Sequence, residues 1–262
     1  MQRIITRHPI VAAVSLLMAV QGGALLALVP LRALVEQPSA EQTALTVMAA
    51  RCLCALGVVA GLGWWSRVGL SGPGRWRQLN LLRLLVPLPL LPLLDGIAPG
   101  ASGKVGVYLT AALLVAVNEE ILYRGLLLEV LSGVGVARAA IALAALFSAV
   151  HLPNVFAGAD PAMELTRVAI TAGGALGLSA IRLRTGMLWA PIVAHCGLDL
   201  AEYLAAGGIP ALGQGRPFGV TTVVAVTVYS AVLGVVGLRL LRRLPATVDA
   251  AVAEHADVLT SR

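Results

Sequence analysis

Apolar residues fill long continuous runs along this chain, and polar residues are confined to short segments between them. The runs cover residues 10–31, 44–65, 79–97, 105–127, 139–157, 168–183, 187–206 and 218–238. A helix needs about 20 mostly apolar residues to cross the roughly 30 Å hydrocarbon core of a bilayer. The pattern therefore predicts an all-α, polytopic membrane protein with about eight transmembrane helices over residues 1–244. Residues 245–262 are mixed and charged, which predicts a short cytoplasmic tail.

Prolines interrupt some of these runs. The third run holds prolines at positions 87, 89 and 92, so it is expected to be kinked or partly re-entrant. Pro153 follows His151 by two residues, and Pro191 precedes His195 by four. Each of these two prolines is expected to kink its helix and free a backbone carbonyl, which would open a small polar cavity beside the histidines.

Composition narrows the class of protein. Hydrophobic residues make up 58% of the chain and charged residues 12%, against roughly 25% charged in ordinary soluble domains. So few polar residues cannot cover a globule of this size. The composition excludes a soluble enzyme, a disordered chain and a nucleic-acid-binding domain.

The basic residues predict the orientation in the membrane. With the N-terminus inside, the inner segments hold 13 of the 19 basic residues and the outer loops hold 4. Cytoplasmic loops carry the excess of Lys and Arg in membrane proteins. We therefore expect a multi-pass protein of the cell membrane with both termini in the cytoplasm.

A few charged and ionisable residues lie inside the apolar runs, away from their ends. They are Arg51, Arg83, Glu119, Glu120, His151, His195, Asp199 and Glu202. Such residues are costly in a bilayer and mark functional sites by default. They are therefore the first candidates for a site in the interior of the bundle.

Spacing predicts how these residues pair. Glu120 and Arg124 are four residues apart, so they share a helix face and are expected to form an ion pair. Glu119 lies about 100° away on the helix and is left without that partner. A partly desolvated carboxylate free of the arginine suits a general base. His195 and Asp199 are also four apart and project into the same space.

Three of the candidate residues are predicted to lie at similar depths in the membrane. A rise of about 1.5 Å per residue puts Glu119 roughly 12 Å, His195 roughly 13 Å and His151 roughly 18 Å from the inner ends of their spans. We therefore expect the carboxylate of Glu119 and the two imidazoles to surround one polar cavity between the cytoplasmic side and the midplane.

Three motifs occur in order on three separate spans. They read Glu119-Glu120-x-x-x-Arg124, Phe147-x-x-x-His151 and His195-x-x-x-Asp199. Together they resemble the pattern of the CAAX prenyl proteases and bacteriocin-processing proteins, the Abi or Rce1-like intramembrane proteases. The resemblance covers about residues 105–206. It implies an intramembrane endopeptidase that hydrolyses a peptide bond near the cytoplasmic side, with Glu120 and Arg124 supporting the site.

The same resemblance implies roles for the other motif residues. Glu119 and His151 would hold and activate a water for attack on a peptide carbonyl. His195 and Asp199 would stabilise the oxyanion. An ionised Asp199 would repel an oxyanion, so it must be protonated, orient His195 or bind a metal. The family fills this position with either asparagine or aspartate.

The motifs are compatible with a bound metal ion and with a site that uses no metal. Members of the family have been described as metalloproteases and as metal-free, glutamate-dependent proteases. His151, His195 and Asp199 would suit zinc or another divalent metal, and a site without a metal suits the same residues. The implied partners are the lipid bilayer and a peptide or membrane-anchored protein substrate, with no nucleic acid.

Other functions use the same residues differently. A non-proteolytic protein could give immunity against an antimicrobial peptide or act as a scaffold for another membrane protein. A membrane enzyme could act on a prenyl or lipid substrate. A transporter could use Glu119 and the histidines as a proton relay, but the two halves of the chain show no obvious repeat. The ordered catalytic set favours the protease.

Overall fold

The fold is all-helical over the residues that the structure, a computed structural model, describes, which are 8–72, 74–152, 155, 161–209 and 217–244. No strand occurs within these ranges. The α-helices are α1 (Pro9–Leu26), α2 (Leu28–Leu34), α3 (Ala40–Leu62), α4 (Val105–Glu119), α5 (Leu128–Leu131), α6 (Val136–Ala149), α7 (Pro161–Thr185), α8 (Trp189–Ala206) and α9 (Val220–Arg242). A π-helical segment, Glu120–Leu127, joins α4 to α5. Four 3₁₀ segments complete the described helices: Trp76–Leu84, Leu91–Asp95, Ala101–Lys104 and Ser132–Val134.

Local sequence explains where several helices begin and end. The side chain of Ser39 accepts a hydrogen bond from the Gln42 N–H at 3.1 Å, and the Gln42 side chain accepts one from the Ser39 N–H at 2.8 Å. This capping box satisfies two free donors at the start of α3. Gly63 and Gly207 end α3 and α8 in the left-handed region, at φ of 66° and 77°, which glycine adopts at little cost.

Four segments are long and apolar enough to cross a membrane among the described residues. They are Pro9–Leu34, Glu41–Leu62, Ala101–Val134 and Val220–Arg242. The α6 helix is apolar but shorter, at 14 residues. The chain is therefore a multi-pass membrane protein, and the predicted number of eight spans is not confirmed.

The third apolar run does not form an α-helix. It consists of the 3₁₀ segments Trp76–Leu84 and Leu91–Asp95, with turns between them. The prolines at positions 87, 89 and 92 explain this, because a proline lacks the N–H that an α-helix needs and clashes with the preceding turn. The expected break in this run is therefore confirmed. The segment Leu91–Asp95 packs against α8 and α9.

Two expectations about histidine-bearing helices are wrong. The α6 helix ends at Ala149, so His151 lies in the following turn and not within a transmembrane helix. A helix is disfavoured at the residue before a proline, and the sequence has Pro153 two residues further on. Pro191 does not kink α8, since it lies in the first turn of Trp189–Ala206, where its missing N–H would have no helical partner in any case.

Small residues set the packing of α7 against α9. A Cβ added at Gly173 would lie 2.1 Å from the backbone oxygen of Ser230, and one at Gly177 would lie 3.1 Å from the Cβ of Leu233. Backbones approach this closely only where side chains are absent. Gly57 and Gly61 on α3 have the same four-residue spacing, but nothing in the described structure lies within 4 Å of a Cβ added at either position, so no described helix packs closely there.

Arginines predicted to face the cytoplasm bind backbone carbonyls at helix ends. The Nε and Nη2 atoms of Arg182 donate to the carbonyls of Val68 at 3.0 Å and Arg67 at 2.8 Å. Arg184 donates to the carbonyl of Leu240 at 3.0 Å. These bonds satisfy acceptors that a helix or loop leaves free, and they tie the loop after α3 and the end of α9 to the end of α7.

Candidate active site

The paired glutamates lie where α4 passes into the π segment. Glu119 is the last residue of α4, and Glu120 is the first residue of Glu120–Leu127. The Glu119 side chain is 28% exposed, whereas that of Glu120 is 0% exposed. π-Helical turns are rare and occur mostly at functional sites. The junction therefore gives two neighbouring carboxylates opposite environments.

Glu120 and Arg124 form a buried ion pair. The Nη1 atom of Arg124 donates to Glu120 Oε1 at 2.9 Å, and the Arg124 side chain is 3% exposed. The predicted pairing of Arg124 with Glu120 is confirmed. Glu119 makes no ion pair with Arg124 in the described structure. Loss of one partner of such a pair leaves a buried charge without compensation, at a cost of about 3–5 kcal/mol.

His195 of α8 joins both glutamates. Its Nδ1–H donates to Glu120 Oε1 at 2.9 Å, because a carboxylate oxygen accepts. Its Nε2 lies 3.8 Å from Glu119 Oε2 and 3.7 Å from Asp199 Oδ1. These two distances exceed those of hydrogen bonds. His195 therefore has one nitrogen fixed by Glu120 and the other directed between two carboxylates.

Phe147 of α6 is the hydrophobic centre of the site. The Cζ atom of Arg124 lies 4.6 Å from the centroid of the Phe147 ring. The rings of Tyr123, His151 and His195 lie at 4.9, 5.6 and 6.5 Å from it, each near edge-on. Phe147 thus orders a cation and three aromatic side chains at once. The sequence pattern indicates Phe147 only as a position of the Phe147-x-x-x-His151 motif, and it gives no role to Tyr123.

His151 reaches the site from the turn after α6. Its Nδ1–H donates to the carbonyl of Phe147 at 3.1 Å, which leaves Nε2 free to accept. No hydrogen bond or ion pair joins His151 to Glu119 or His195 within the described part of the chain. That these three residues surround one polar cavity therefore stays a prediction.

Two buried carboxylate oxygens without partners in the described structure belong to Glu120 and Asp199, the side chains that contact His195. Asp199 Oδ2, Glu120 Oε2 and Asn118 Oδ1 are all buried with no hydrogen-bond partner among the described residues. A buried polar atom without a partner destabilises a protein by about 1–3 kcal/mol. Two of these three atoms belong to the carboxylates around His195, so this part of the described structure has polar atoms that the fold itself leaves without a hydrogen bond.

The predicted metal ligands do not form a recognisable cluster. The described ranges contain no group of three or more His, Cys, Asp or Glu residues arranged to hold a metal ion. Among the described residues, His195 contacts Asp199, and neither of them contacts the third predicted ligand, His151, through a hydrogen bond or ion pair. Zinc or another divalent metal at these residues stays a prediction.

These features define a multi-pass helical membrane protein with an ionic site buried among its helices. Residues 101–201 match the family model of the type II CAAX prenyl endopeptidases, described as Rce1-like. The segment 101–201 is thus similar to this family, and the resemblance predicted from the three motifs is confirmed over this segment. The matched segment runs from the 3₁₀ segment before α4 into α8 and includes every motif residue from Glu119 to Asp199. No curated protein and no solved structure matches the chain.

Proposed function

We propose that this protein is an intramembrane endopeptidase that hydrolyses a peptide bond of a peptide or membrane-anchored protein near the cytoplasmic side of the membrane. The match to a protease family supports the class of reaction. The observation that carries the proposal is the arrangement around His195, in which a buried Glu120 fixes Nδ1 and a more exposed Glu119 lies 3.8 Å from Nε2.

Glu119 is the general base in this proposal. A water at hydrogen-bond distances of about 2.8 Å from both atoms fits between Glu119 Oε2 and His195 Nε2 at their observed separation. Glu119 takes a proton from this water, and the hydroxide oxygen bonds to the carbonyl carbon of the substrate. The same proton then passes from Glu119 to the amide nitrogen as the C–N bond breaks, which releases an amine and a carboxylic acid, and the acid then loses its proton to solvent.

His195 stabilises the oxyanion. The carboxylates of Glu119, Glu120 and Asp199 all lie within 4 Å of its ring nitrogens, which favours a ring protonated on both nitrogens. Its Nε2–H then donates to the negative oxygen of the tetrahedral intermediate. Glu120 holds the ring in this orientation through Nδ1, and Arg124 in turn holds Glu120.

His151 and Asp199 have the remaining roles. The free Nε2 of His151 accepts a hydrogen bond from the attacking water. Asp199 acts as an anion that stabilises the His195 imidazolium, since its Oδ1 lies 3.7 Å from Nε2. If zinc or another divalent metal binds, the same carboxylate and histidine nitrogens would hold it, and it would polarise the substrate carbonyl.

The test compares wild type with Glu119→Gln after purification and reconstitution into liposomes. The substrates are a peptide library and a peptide that ends in a farnesylated cysteine and three further residues, and mass spectrometry reads the products. We expect cleavage by wild type and a fall of about 10²–10⁴-fold in Glu119→Gln, the range for loss of a general base.

A matched control is Glu41→Gln. Glu41 pairs with Lys104 at 3.5 Å on the surface, and its side chain is 36% exposed, so this variant is expected to cleave at the wild-type rate. Equal rates in wild type and Glu119→Gln would overturn the proposal. Absence of any peptide cleavage would favour the immunity or scaffold role. Turnover of a prenyl or lipid substrate in place of a peptide would favour the lipid enzyme.

A further inference from the structure

A small cleft opens at the end of the bundle that the basic residues predict to be cytoplasmic. Its walls come from the loop after α3, the π segment with α5, the start of α6 and the end of α7. Each wall belongs to a part of the chain predicted to lie on the inner side of the membrane. The charged and hydroxyl-bearing residues that line the cleft are Arg67, Arg124, Glu129, Ser132 and Arg182.

The lining carries more positive than negative charge. Of its three arginines, Arg124 is matched by Glu120 at 2.9 Å. Arg67 and Arg182 take part in none of the ion pairs of the described structure. Glu129 supplies the one carboxylate among the described lining residues. One guanidinium charge is therefore in excess over the described carboxylates at the cleft.

The fold fixes two of these guanidinium groups through neutral groups. Arg182 donates to the carbonyls of Val68 at 3.0 Å and Arg67 at 2.8 Å. The Cζ atom of Arg67 lies 5.5 Å from the centroid of the Trp64 ring, at the distance of a cation–π contact. Carbonyls and rings orient a guanidinium without cancelling its charge. An anion that binds here therefore meets groups that are already held in place, which lowers the entropic cost of binding.

Exposed tryptophans indicate the depth of the cleft in the membrane. Trp65, two residues before Arg67, is 41% exposed, and Trp189 is 44% exposed. The N–H of Leu188 donates to the carbonyl of Gly69 at 2.9 Å, so the start of α8 lies beside the loop that carries Trp65. Tryptophan is enriched at the level of the lipid headgroups. This depth favours a lipid headgroup over a soluble anion as the ligand.

We propose that this cleft binds the phosphate of an anionic phospholipid headgroup. Arginine forms strong, charge-assisted and often bidentate hydrogen bonds with phosphate oxygens. Basic pockets between membrane helices on the cytoplasmic side are sites for anionic headgroups. Arg124 lines the cleft and also donates to Glu120, so the lipid site and the candidate active site share one guanidinium. The lipid site does not depend on the proposed protease function, because its test measures binding alone.

The experiment measures lipid binding to the full-length protein in detergent by native mass spectrometry. Phosphatidylglycerol carries a net negative charge, and phosphatidylcholine carries the same phosphate in a zwitterionic headgroup. We expect the wild-type Kd for phosphatidylglycerol to be lower by about fivefold or more, the contribution of one arginine near an anionic lipid surface. Inorganic phosphate at millimolar concentration is the third probe and is expected to leave phosphatidylglycerol bound.

Variants assign the binding to the cleft. Arg67→Gln should raise the Kd for phosphatidylglycerol about fivefold, and Arg67→Lys should recover part of the affinity because it restores the charge. Ser132→Leu leaves every arginine in place but fills the cleft, so it should also weaken binding. Arg239→Gln is the matched control. Arg239 is exposed in the last turn of α9, on the same predicted side but outside the cleft, and its removal should keep the wild-type Kd.

Three results would overturn the inference. The first is an equal wild-type Kd for the two lipids, a comparison that needs no variant and so does not depend on how Arg67→Gln folds. The second is an equal loss of affinity in Arg67→Gln and Arg239→Gln, since general surface charge would then attract the lipid. The third is displacement of phosphatidylglycerol by inorganic phosphate together with a rise in Tm from phosphate alone, which would assign the cleft to a soluble anion.

Discussion

The two nitrogens of His195 face two different regions of the site. On the Nδ1 side, Glu120 and Arg124 form a closed region in which both hydrogen bonds are 2.9 Å long and both side chains are almost fully buried. On the Nε2 side, Glu119 and Asp199 form an open region with separations of 3.8 and 3.7 Å. The same imidazole thus takes part in a region of short hydrogen bonds and in a region of longer separations.

This difference separates stability from chemistry. The closed region is held by two hydrogen bonds of 2.9 Å between almost fully buried side chains, so a change there is expected to act first on folding. The open region leaves room for a water or a substrate oxygen, so a change there is expected to act on catalysis. Substitutions that affect only one region test whether this division is real.

The largest effect is expected from Arg124→Ala. It leaves the buried carboxylate of Glu120 without its cation and should lower the free energy of unfolding by about 3–5 kcal/mol. Thermal unfolding and size-exclusion chromatography in detergent would measure this. Arg138→Ala is the matched control, since Arg138 is exposed on α6 and its removal should change stability by no more than about 0.5 kcal/mol. Equal thermal stability of the two variants would contradict a structural role for the closed region.

Two substitutions of His195 separate its nitrogens. An asparagine amide can occupy the position of Nδ1, and a glutamine amide can reach the position of Nε2. His195→Asn should therefore keep the bond to Glu120 and the fold, while the cleavage rate falls about 10²–10³-fold as the oxyanion donor is lost.

His195→Gln should show the complementary defect. It removes the donor to Glu120 Oε1 and should destabilise the protein by about 1–3 kcal/mol relative to His195→Asn. Thermal unfolding of both variants together with cleavage rates would measure the difference. If His195→Asn were the less stable of the two, the assignment of Nδ1 to the closed region would be wrong.

The smallest effect is expected from Asp199→Asn. If Asp199 acts as an anion that supports the His195 imidazolium, loss of the charge should lower the rate about 10–100-fold. Cleavage would be measured for wild type and the variant, each with and without a strong chelator. A chelator-sensitive wild type would indicate a metal in the open region. Wild-type rates in Asp199→Asn, unaffected by chelator, would refute the anionic role and support a neutral donor in a metal-free mechanism.

Much of the fold was predictable because the bilayer demands long apolar helices. The helices α1, α3, α4 and α9 fall within or close to predicted runs. The count of eight was less predictable, since apolarity alone does not reveal that the third run is 3₁₀-helical or that α6 is short. The prolines of the third run prevent an α-helix there. Pro191 does not kink α8, because α8 begins only two residues before it.

The amino-acid sequence by itself determined the contacts between neighbours on one helix. The spacing of Glu120 and Arg124 sets their pairing because helical geometry brings residues four apart to one face. The same spacing also separated Glu119 from that pair. The three ordered motifs predicted the similarity of the segment 101–201 to the Rce1-like family.

Only the tertiary structure decided which helices meet and which atoms face each other. The bond from His195 to Glu120 joins residues 75 positions apart, and Phe147 reaches the site from a further helix, α6. Their positions depend on how whole helices pack, for instance where Gly173 lets α7 approach the backbone at Ser230. The spacing rules of a single helix do not contain that information, because the placement of one helix against another depends on the shape and burial of both surfaces.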